Sequence, residues 1–307
     1  MHVAIVGAGS IGRVFGVRLA AAGVAVAFVV RAAHPHVAPI RVEAVVGSPS
    51  VLEAPVYVGE VPAHADVVLV CVRGDQLDEA LVATLRAGPS VPVVSFAPML
   101  PKTYARLRAQ LGERLVAGMS SVTGYTNAGG VTRYWVSQSA KTILDEPRAP
   151  DAVLASLVEA LGRAGIAAQL EPGVHETNAA TTISFLPLAL GLDAAGSLDG
   201  LMKDDALLAL TFRAMSEGRA LAQRCGKVAR WAGLVTRFLG PHTIRLGLSL
   251  GRSRAPEAIA FVEEHFGRKI HAQNVAMAEE ACALADEKGT GHLARGELLA
   301  KIGRSPA

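Results

Sequence analysis

Three glycines with a spacing suited to phosphate binding follow the first apolar run of the chain. The motif Gly7-Ala8-Gly9-Ser10-Ile11-Gly12 joins the short run Met1–Val6 to an apolar-periodic stretch over Arg13–Ala22. At a strand-to-helix junction, Gly7 would allow a tight turn, Gly9 would let the backbone approach a pyrophosphate, and Gly12 would let the helix pack against the strand. We therefore expect a dinucleotide to bind here. The alternative is a glycine-rich turn in an ordinary α/β domain.

The helix predicted to begin after Gly9 adds a favourable electrostatic field. The backbone N–H groups of Ser10 and Ile11 lie in its first turn, where they have no carbonyl partner within the helix. The positive end of the helix dipole also favours an anion at this place. Ser10 and Ile11 are therefore predicted to bind the cofactor together with the three glycines.

Arg31 bears on the choice between NAD and NADP. It follows a buried strand predicted over Val24–Val30. An acidic residue at this place would bind the ribose hydroxyls of NAD, whereas a basic residue suits the extra phosphate of NADP. Arg31 therefore predicts NADP(H) as the cofactor, with Arg41 as a weaker candidate. The alternative is a solvated arginine at a strand end.

Arg73 ends a further buried strand, predicted over Asp66–Val72. Ligands bind at the carboxyl ends of parallel strands in open α/β sheets. We therefore expect Arg73 to contact the cofactor or substrate, with a plain surface charge as the alternative. Asp75 is expected to cap a helix that runs to about Leu85.

The order of the predicted elements indicates two domains, which also suits a chain of 307 residues. Up to Glu171, apolar runs alternate with amphipathic stretches, as in an α/β domain with a mostly parallel sheet. From Val174 onward, helical patterns follow one another. We predict a Rossmann-type α/β domain over residues 1–170 and an all-helical domain over residues 171–307. Nicotinamide and substrate would lie in the cleft between them.

Composition narrows the class of protein. The chain is 51% hydrophobic and 19% charged, and its net charge of +3 is too small and too dispersed for a nucleic-acid surface. Neither the three cysteines nor the nine histidines show metal-ligand spacing. No secretory signal or membrane span is evident. We expect a cytoplasmic protein that binds no metal, nucleic acid or membrane and acts on a small molecule.

Together these features resemble the ketopantoate reductase (2-dehydropantoate 2-reductase) family. The features that match are the glycine motif, Arg31 after the second strand, the strand end Leu69–Arg73, Gly118 with the polar run Ser120–Gly124, and the helical second half. The resemblance implies NADPH-dependent reduction of the ketone of a 2-oxo acid to a 2-hydroxy acid. By analogy it also implies a homodimer through the helical domain.

The resemblance implies a catalytic lysine that this chain lacks. Hydride delivery creates a developing alkoxide, which a cationic acid such as lysine stabilises and protonates. The family carries this lysine early in the first long helix of the second domain, with an asparagine one turn later. Anchored on Phe185–Leu188, these positions fall on Asn178 and Thr182. We predict that Asn178 takes the catalytic position and that Thr182 contacts the substrate. No lysine occurs between Lys141 and Lys203.

Two further departures concern groups expected around the substrate. The family's Asn-Gly-x-Gly loop after the fourth long strand reads Ala97-Pro98-Met99-Leu100 here, and Pro98 lacks the N–H that a glycine would offer. The family's late substrate-binding acid falls at about Lys269. The apolar loop indicates a substrate less polar than a hydroxylated oxo acid, because a buried polar group needs partners.

Other residues are candidates for the missing acid. His175 begins the same helix and shares a face with Asn178, and a histidine can protonate an alkoxide or an imine product near neutral pH. Lys269 would supply a cation from the opposite wall, with His271 nearby in sequence and Asn274 as a predicted substrate contact. The alternative is that His175 is an ordinary polar residue at a helix start and Lys269 a solvated charge.

Three functions stay open at this point. The first is an NADP-dependent oxidoreductase that transfers hydride to a 2-oxo acid, a ketone or an imine of small to medium size. The second is a catalytically inactive protein of the same fold that binds NADP(H) as a sensor or partner subunit. The third is an opine-forming enzyme, which shares the two-domain layout.

Overall fold

The chain folds into two compact units. The computed structural model describes residues 1–31, 36–45, 47–136, 141–254, 259, 262 and 270–303. One unit consists of Met1–Ala97 and Tyr104–His175, and the other of Pro98–Thr103 and the residues from Glu176 onward. The roles assigned to residues 1–170 in NADP binding and to residues 171–307 in substrate binding stay predictions.

The first unit contains an eight-stranded sheet. In chain order its strands are β1 (His2–Val6), β2 (Ala25–Val29), β5 (Val56–Val58), β6 (Val67–Val70), β7 (Val93–Ser95), β8 (Leu115–Met119), β11 (Thr142–Asp145) and β12 (Ala168–Glu171). In space they lie in the order β5-β2-β1-β6-β7-β8-β11-β12. In this spatial order, each neighbouring pair of strands from β5 through β2, β1, β6 and β7 to β8 is parallel. Strand β11 is antiparallel to β8 and parallel to β12.

The parallel part of the sheet has a topological switch point. Numbered within that part, its strand order is 3-2-1-4-5-6, the order of dinucleotide-binding sheets. The chain builds outward from β1 to β5 and then returns to place β6 on the other side of β1. Ligands bind outside the carboxyl ends of the strands at such a point. All four residues of β6 are buried, as a central parallel strand requires.

A second, four-stranded sheet packs against the first helix. It consists of β3 (Ile40–Ala44), β4 (Ser50–Leu52), β9 (Val122–Thr126) and β10 (Thr132–Val136), in the order β4-β3-β10-β9. These strands contact α1 (Ser10–Ala21), and Phe15 of α1 shares one core cluster with Val42 and Tyr134. The helix that follows the glycine motif is therefore held between two sheets.

Among the described residues, three other α-helices belong wholly or partly to this unit: α2 (Glu79–Ala87), α3 (Pro101–Leu111) and α4 (Ala152–Arg163). Asp78 caps α2 by accepting a hydrogen bond from the N–H of Leu81 at 2.8 Å. The prediction that Asp75 caps this helix is wrong. Asp75 lies in the preceding 3₁₀ turn Gly74–Gln76, where the side chain of Arg73 binds its carboxylate.

The regular secondary structure of the second unit, over its described residues, is α-helical apart from one 3₁₀ position at Ile270. Its helices are α5 (Val174–Ala195), of which the first two residues belong to the first unit, α6 (Leu198–Lys203), α7 (Asp205–Cys225), α8 (Arg230–Phe238), α9 (Pro241–Arg254), α10 (His271–Lys288) and α11 (Leu293–Ile302). Their apolar faces meet in a core that includes Ile183, Leu221 and Leu298, all fully buried. The predicted fold class, a parallel α/β part followed by a helical part, is confirmed.

Candidate functional site

The turn after β1 has a backbone conformation that favours glycine. Gly7 has a φ of +98°, and a Cβ at this position would lie 2.8 Å from Cγ1 of Val72. The N–H of Gly7 donates to the carbonyl oxygen of Val29 at 3.3 Å, which joins the turn to the end of β2. The N–H of Cys71 donates to the carbonyl oxygen of Val6 at 2.8 Å. The turn therefore lies at the switch point, beside the ends of β2 and β6.

The other two glycines of the motif have different surroundings. A Cβ on Gly12 would lie 2.0 Å from the carbonyl oxygen of Gly7, so any side chain would push α1 away from the turn. A Cβ on Gly9 would meet no atom within 4 Å. Gly12 therefore serves close packing, whereas the space beside Gly9 is open, as the approach of a pyrophosphate requires.

The start of α1 suits an anion. Gly9 is the N-cap residue, no described side chain caps the helix, and its first turn has no acidic residue. The hydroxyl oxygen of Ser10 lies 3.3 Å from Oγ1 of Thr126, and Ile11 packs partly buried against the core. The backbone N–H groups of both residues lie in the first turn of the helix, where no carbonyl group within the helix accepts them. The residues present fit the pyrophosphate of a dinucleotide.

Arg31 lies just beyond the strand end that is bonded to the glycine turn. It is exposed and directly follows the buried residue Val30. Arg41 is also exposed and pairs in register with Val51 on the second sheet. A guanidinium can bind a phosphate through two parallel hydrogen bonds, and the position of Arg31 is compatible with that role.

Arg73 is engaged by a neighbouring carboxylate. Its Nε donates to Oδ1 of Asp75 at 2.9 Å, and its Nη2 donates to Oδ2 at 2.8 Å. These hydrogen bonds hold the pKa of Asp75 below its usual value. Two donors of Arg73 therefore already have an acceptor, and its contact with a cofactor stays a prediction.

His175 is held by a carboxylate and an aromatic ring. Its Nδ1 lies 2.7 Å from Oδ2 of Asp145, and its ring stacks on Tyr104 with a centroid distance of 4.5 Å. Oδ1 of Asp145 accepts hydrogen bonds from the N–H groups of Gly173 and Val174 at 2.9 and 3.2 Å. A carboxylate at Nδ1 selects the tautomer with the proton on that nitrogen and fixes the ring. Nε2 is then the atom available for proton exchange.

Asn178 and Thr182 lie one turn apart on α5 and bond to each other. Oγ1 of Thr182 donates to Oδ1 of Asn178 at 3.2 Å, and Asn178 is buried. A neutral amide donates hydrogen bonds but carries no proton that it can release to an alkoxide. Asn178 therefore suits the orientation of a substrate better than the role of an acid.

A second histidine–carboxylate pair lies within the helical unit. Oδ2 of the buried Asp193 lies 3.0 Å from Nδ1 of His271 and accepts a hydrogen bond from Nδ2 of Asn274, also at 3.0 Å. His271 and Asn274 both lie in the first turn of α10. Oδ1 of Asn274 is buried and has no hydrogen-bond partner among the described residues. Lys269 lies outside the described residues.

The first part of the chain matches a known family. Residues 3–143 match the family model of ketopantoate reductase, PanE/ApbA. Over these residues the predicted resemblance is confirmed. The match ends before Asn178, so the replacement of the family's lysine stays a prediction. No curated protein matches the sequence.

Solved ketopantoate reductases share the fold over the whole chain. A 2-dehydropantoate 2-reductase from Geobacter metallireducens GS-15 is similar with a TM-score of 0.74 and 16% identity over 100% of both chains. A PanE/ApbA family ketopantoate reductase from Ralstonia eutropha JMP134 has a TM-score of 0.71 and 19% identity, over 99% of this chain and 97% of that one. D-mandelate dehydrogenase in complex with NADH has a TM-score of 0.68 and 13% identity, over 99% of this chain and 98% of that one. At these identities the likeness establishes the fold.

The described residues contain neither a metal-binding cluster nor a membrane-spanning helix. No group of three or more His, Cys, Asp or Glu residues there is arranged to hold a metal ion. No described helix combines the length and hydropathy needed to cross a bilayer. The three cysteines are free, and burial raises the pKa of each thiol, which favours the unreactive protonated form.

Three polar residues near these groups escape prediction from the sequence. They are Arg13, Asp145 and Asp193. Asp145 is far from His175 along the chain, and the pairing of β11 with β12 brings its strand end beside the start of α5. Asp193, near the end of α5, meets its partners only because they lie in the first turn of α10, which comes beside it in the fold. The one local signal belongs to Arg13, which directly follows the glycine motif.

Proposed function

We propose that the chain is an NADP(H)-dependent oxidoreductase of the ketopantoate reductase type. Its reaction would be the reduction of the carbonyl of a 2-oxo acid or ketone, or of an imine, on a small to medium-sized substrate. The observation that carries the proposal is the glycine turn at the switch point, open at Gly9 and closely packed at Gly12. The fold shared with ketopantoate reductases and D-mandelate dehydrogenase supports the same class of reaction.

In this proposal the first unit holds the cofactor. The N–H groups of Ser10 and Ile11 would bind the pyrophosphate, and the guanidinium of Arg31 would bind the 2′-phosphate. When bound, the reduced nicotinamide supplies a hydride. Gly7 and Gly12 keep the turn compact, so the backbone rather than a side chain faces the phosphates.

His175 is our choice for the proton donor. With Nδ1–H bound to Asp145, the imidazolium would release its proton from Nε2 to a developing alkoxide or to the nitrogen of a reduced imine. The carboxylate orients the imidazole ring, and the stacked ring of Tyr104 restricts its rotation. Asn178, Thr182 and Asn274 would orient the substrate, and Lys269 would add a positive charge.

The decisive experiment follows the oxidation of NADPH by absorbance with a panel of 2-oxo acids, ketones and imines. Steady turnover with any member is the expected result. Activity that requires both an amino acid and an oxo acid would instead identify an opine-forming enzyme. Tight binding of NADPH without turnover across the whole panel would contradict the enzymatic proposal.

A second candidate is an NADP(H)-binding protein without turnover. The observation in its favour is Asn178, which is buried and bonded to Thr182 at the position that the resemblance assigns to a lysine. Such a protein would report NADP(H) levels or serve as a partner subunit. Its signature in the same experiment is affinity for NADPH with no consumption of it.

A further inference from the structure

Arg13 directly follows the glycine motif and is almost completely buried. It is 8% exposed. Its Nε donates to the carbonyl oxygen of Ala8 at 2.9 Å, inside the glycine turn. Its Nη1 donates to the carbonyl oxygen of Gly130 at 3.3 Å, in the turn between β9 and β10. One guanidinium therefore joins the nucleotide-binding turn to the second sheet.

The charge of Arg13 has no counter-charge in the described structure. Both of its acceptors are neutral carbonyl groups, and no described carboxylate forms an ion pair with it. Burying a cation without a partner is unfavourable. The sequence around it does not help, because residues 1–42 contain no aspartate or glutamate. They do contain four arginines: Arg13, Arg18, Arg31 and Arg41.

The surroundings hold the guanidinium in place. The hairpin turn that supplies Gly130 is closed by Asn127, whose Oδ1 accepts a hydrogen bond from the N–H of Val131 at 3.0 Å. The hydroxyl groups of Ser10 and Thr126, 3.3 Å apart, join the same hairpin to the first turn of α1. Burial raises the pKa of the Tyr57 hydroxyl, and the positive charge of Arg13 partly opposes this rise.

We propose that Arg13 supplies the fixed positive charge of the pyrophosphate site from inside the protein. The inference rests on the proposed binding of NADP(H). A diphosphate at the start of α1 would be the counter-charge that Arg13 lacks. The backbone N–H groups touch the anion, whereas Arg13 acts through its field. Arg13 also binds the carbonyl oxygen of Ala8. The partial negative charge of this oxygen therefore faces the guanidinium.

This role separates Arg13 from Arg31. The pyrophosphate is common to NADH and NADPH, so the loss of Arg13 should weaken both cofactors by the same factor. Arg31 is proposed to bind the 2′-phosphate, which only NADPH carries. The affinity for adenosine 2′-phosphate, which has the 2′-phosphate but no pyrophosphate, should not change when Arg13 is replaced.

The test is calorimetric titration of the full chain and of its Arg13→Gln and Arg13→Lys variants with these three ligands. Arg13→Gln should lower the affinity for NADPH and NADH by about tenfold each (about 1.4 kcal/mol) and leave that for adenosine 2′-phosphate unchanged. Arg13→Lys keeps the charge and should recover most of the loss. The affinity of Arg13→Gln should also depend less on ionic strength.

Arg18→Gln is the matched control. Arg18 lies on the same helix and donates to the carbonyl oxygen of Ala164 at 2.8 Å, so its loss should leave the affinity for all three ligands unchanged. Equal losses in the Gln and Lys variants would show that shape matters rather than charge and would overturn the inference, as would unchanged affinity in Arg13→Gln. If Arg13→Gln does not fold, a large loss of NADH affinity in a folded Arg13→Lys variant would also overturn the inference. Wild-type protein that binds neither nucleotide would contradict the proposed function instead.

Discussion

Within the glycine motif, residues of one type serve different purposes. Gly12 faces a backbone oxygen 2.0 Å from where a Cβ would be, so the fold itself excludes a side chain there. Gly9 faces open space, so the fold has room for a side chain and only a ligand would exclude it. Substitutions at Gly9 therefore test binding separately from folding.

Gly9→Asp should abolish dinucleotide binding and leave the fold intact. Gly9 has a φ of −76° and a ψ of −173° at the N-cap of α1, a conformation that aspartate adopts readily. Because aspartate is a slightly better N-cap residue than glycine, urea unfolding should show stability unchanged or raised by roughly 0.3 kcal/mol. Its carboxylate would repel the pyrophosphate. Retained affinity for NADPH by calorimetry would refute the site, and Gly9→Ala is the uncharged control.

Arg31→Ala should weaken the binding of NADPH much more than the binding of NADH. A hydrogen-bonded charge pair contributes roughly 1.5–3 kcal/mol, so we expect the ratio of the two affinities to change by about tenfold or more. Arg41→Ala tests the weaker candidate in the same way, and Arg86→Ala, exposed in the last turn of α2, is the control. An equal loss of both cofactors would remove the 2′-phosphate role from Arg31.

His175→Gln should lower kcat by about 100-fold with little change in cofactor affinity, because general acid catalysis contributes factors of this size. Asp145→Asn keeps the oxygen that caps α5 but removes the carboxylate oxygen that orients the ring through Nδ1. It should therefore also lower kcat, by less than His175→Gln does. Tyr104→Phe keeps the stacked ring and is the control. A kcat unchanged in His175→Gln would assign the acid to another residue.

Among the elements, helix starts depend on contacts that lie outside the helix. Two aspartates, Asp75 and Asp78, precede α2, and either is a reasonable cap from its residue type. Asp75 instead binds Arg73, and Asp78 accepts the first amide of the helix. At α3 the cap comes from elsewhere in the chain: Glu280 accepts hydrogen bonds from the N–H groups of Lys102 and Thr103.

Glu280→Gln should therefore destabilise the protein. Oε1 of Glu280 accepts the N–H of Lys102 at 2.8 Å and of Thr103 at 3.1 Å, and Oε2 accepts the hydroxyl of Thr103 at 2.6 Å. Glutamine removes the charge and one acceptor, so we expect a loss of about 1–2 kcal/mol in the free energy of unfolding, measured in urea. Glu279→Gln, on the exposed neighbouring position, should change it little. Equal stability of the two variants would contradict this cap.

On the scale of the whole molecule, the two units are interleaved along the chain. The segment Pro98–Thr103 belongs to the helical unit although residues on both sides of it belong to the first. Leu100 in this segment is 1% exposed and lies in the helical core. A single cut between residues 170 and 171 therefore does not separate the two cores.

A fragment that ends at His175 should expose apolar surface. Without the helical core, Leu100, which is buried in the full chain, loses its packing partners. We expect the fragment to bind a hydrophobic dye and to self-associate in sedimentation, and Leu100→Gln within the fragment should reduce both effects. A monomeric fragment that binds no dye would contradict the interleaved organisation.

The sequence by itself determined the features that depend on neighbouring residues. The glycine motif predicts the turn, because the need for a positive φ at Gly7 and for close approach at Gly12 is a local property of the backbone. Hydrophobic periodicity likewise predicts the parallel α/β part and the start of α5 at Val174. These signals are carried by residues a few positions apart, so they can be read without knowledge of the rest of the chain.

The tertiary structure alone decided which distant polar groups meet. Arg13 reaches Gly130, Asp145 holds His175, and Asp193 binds His271 because strand order, register and helix packing bring separate segments together. No local pattern encodes these contacts, since each depends on the summed packing of many apolar side chains. Arg73, predicted to end a strand over Asp66–Val72, instead lies three residues beyond the end of β6 at Val70 and binds its own neighbour Asp75.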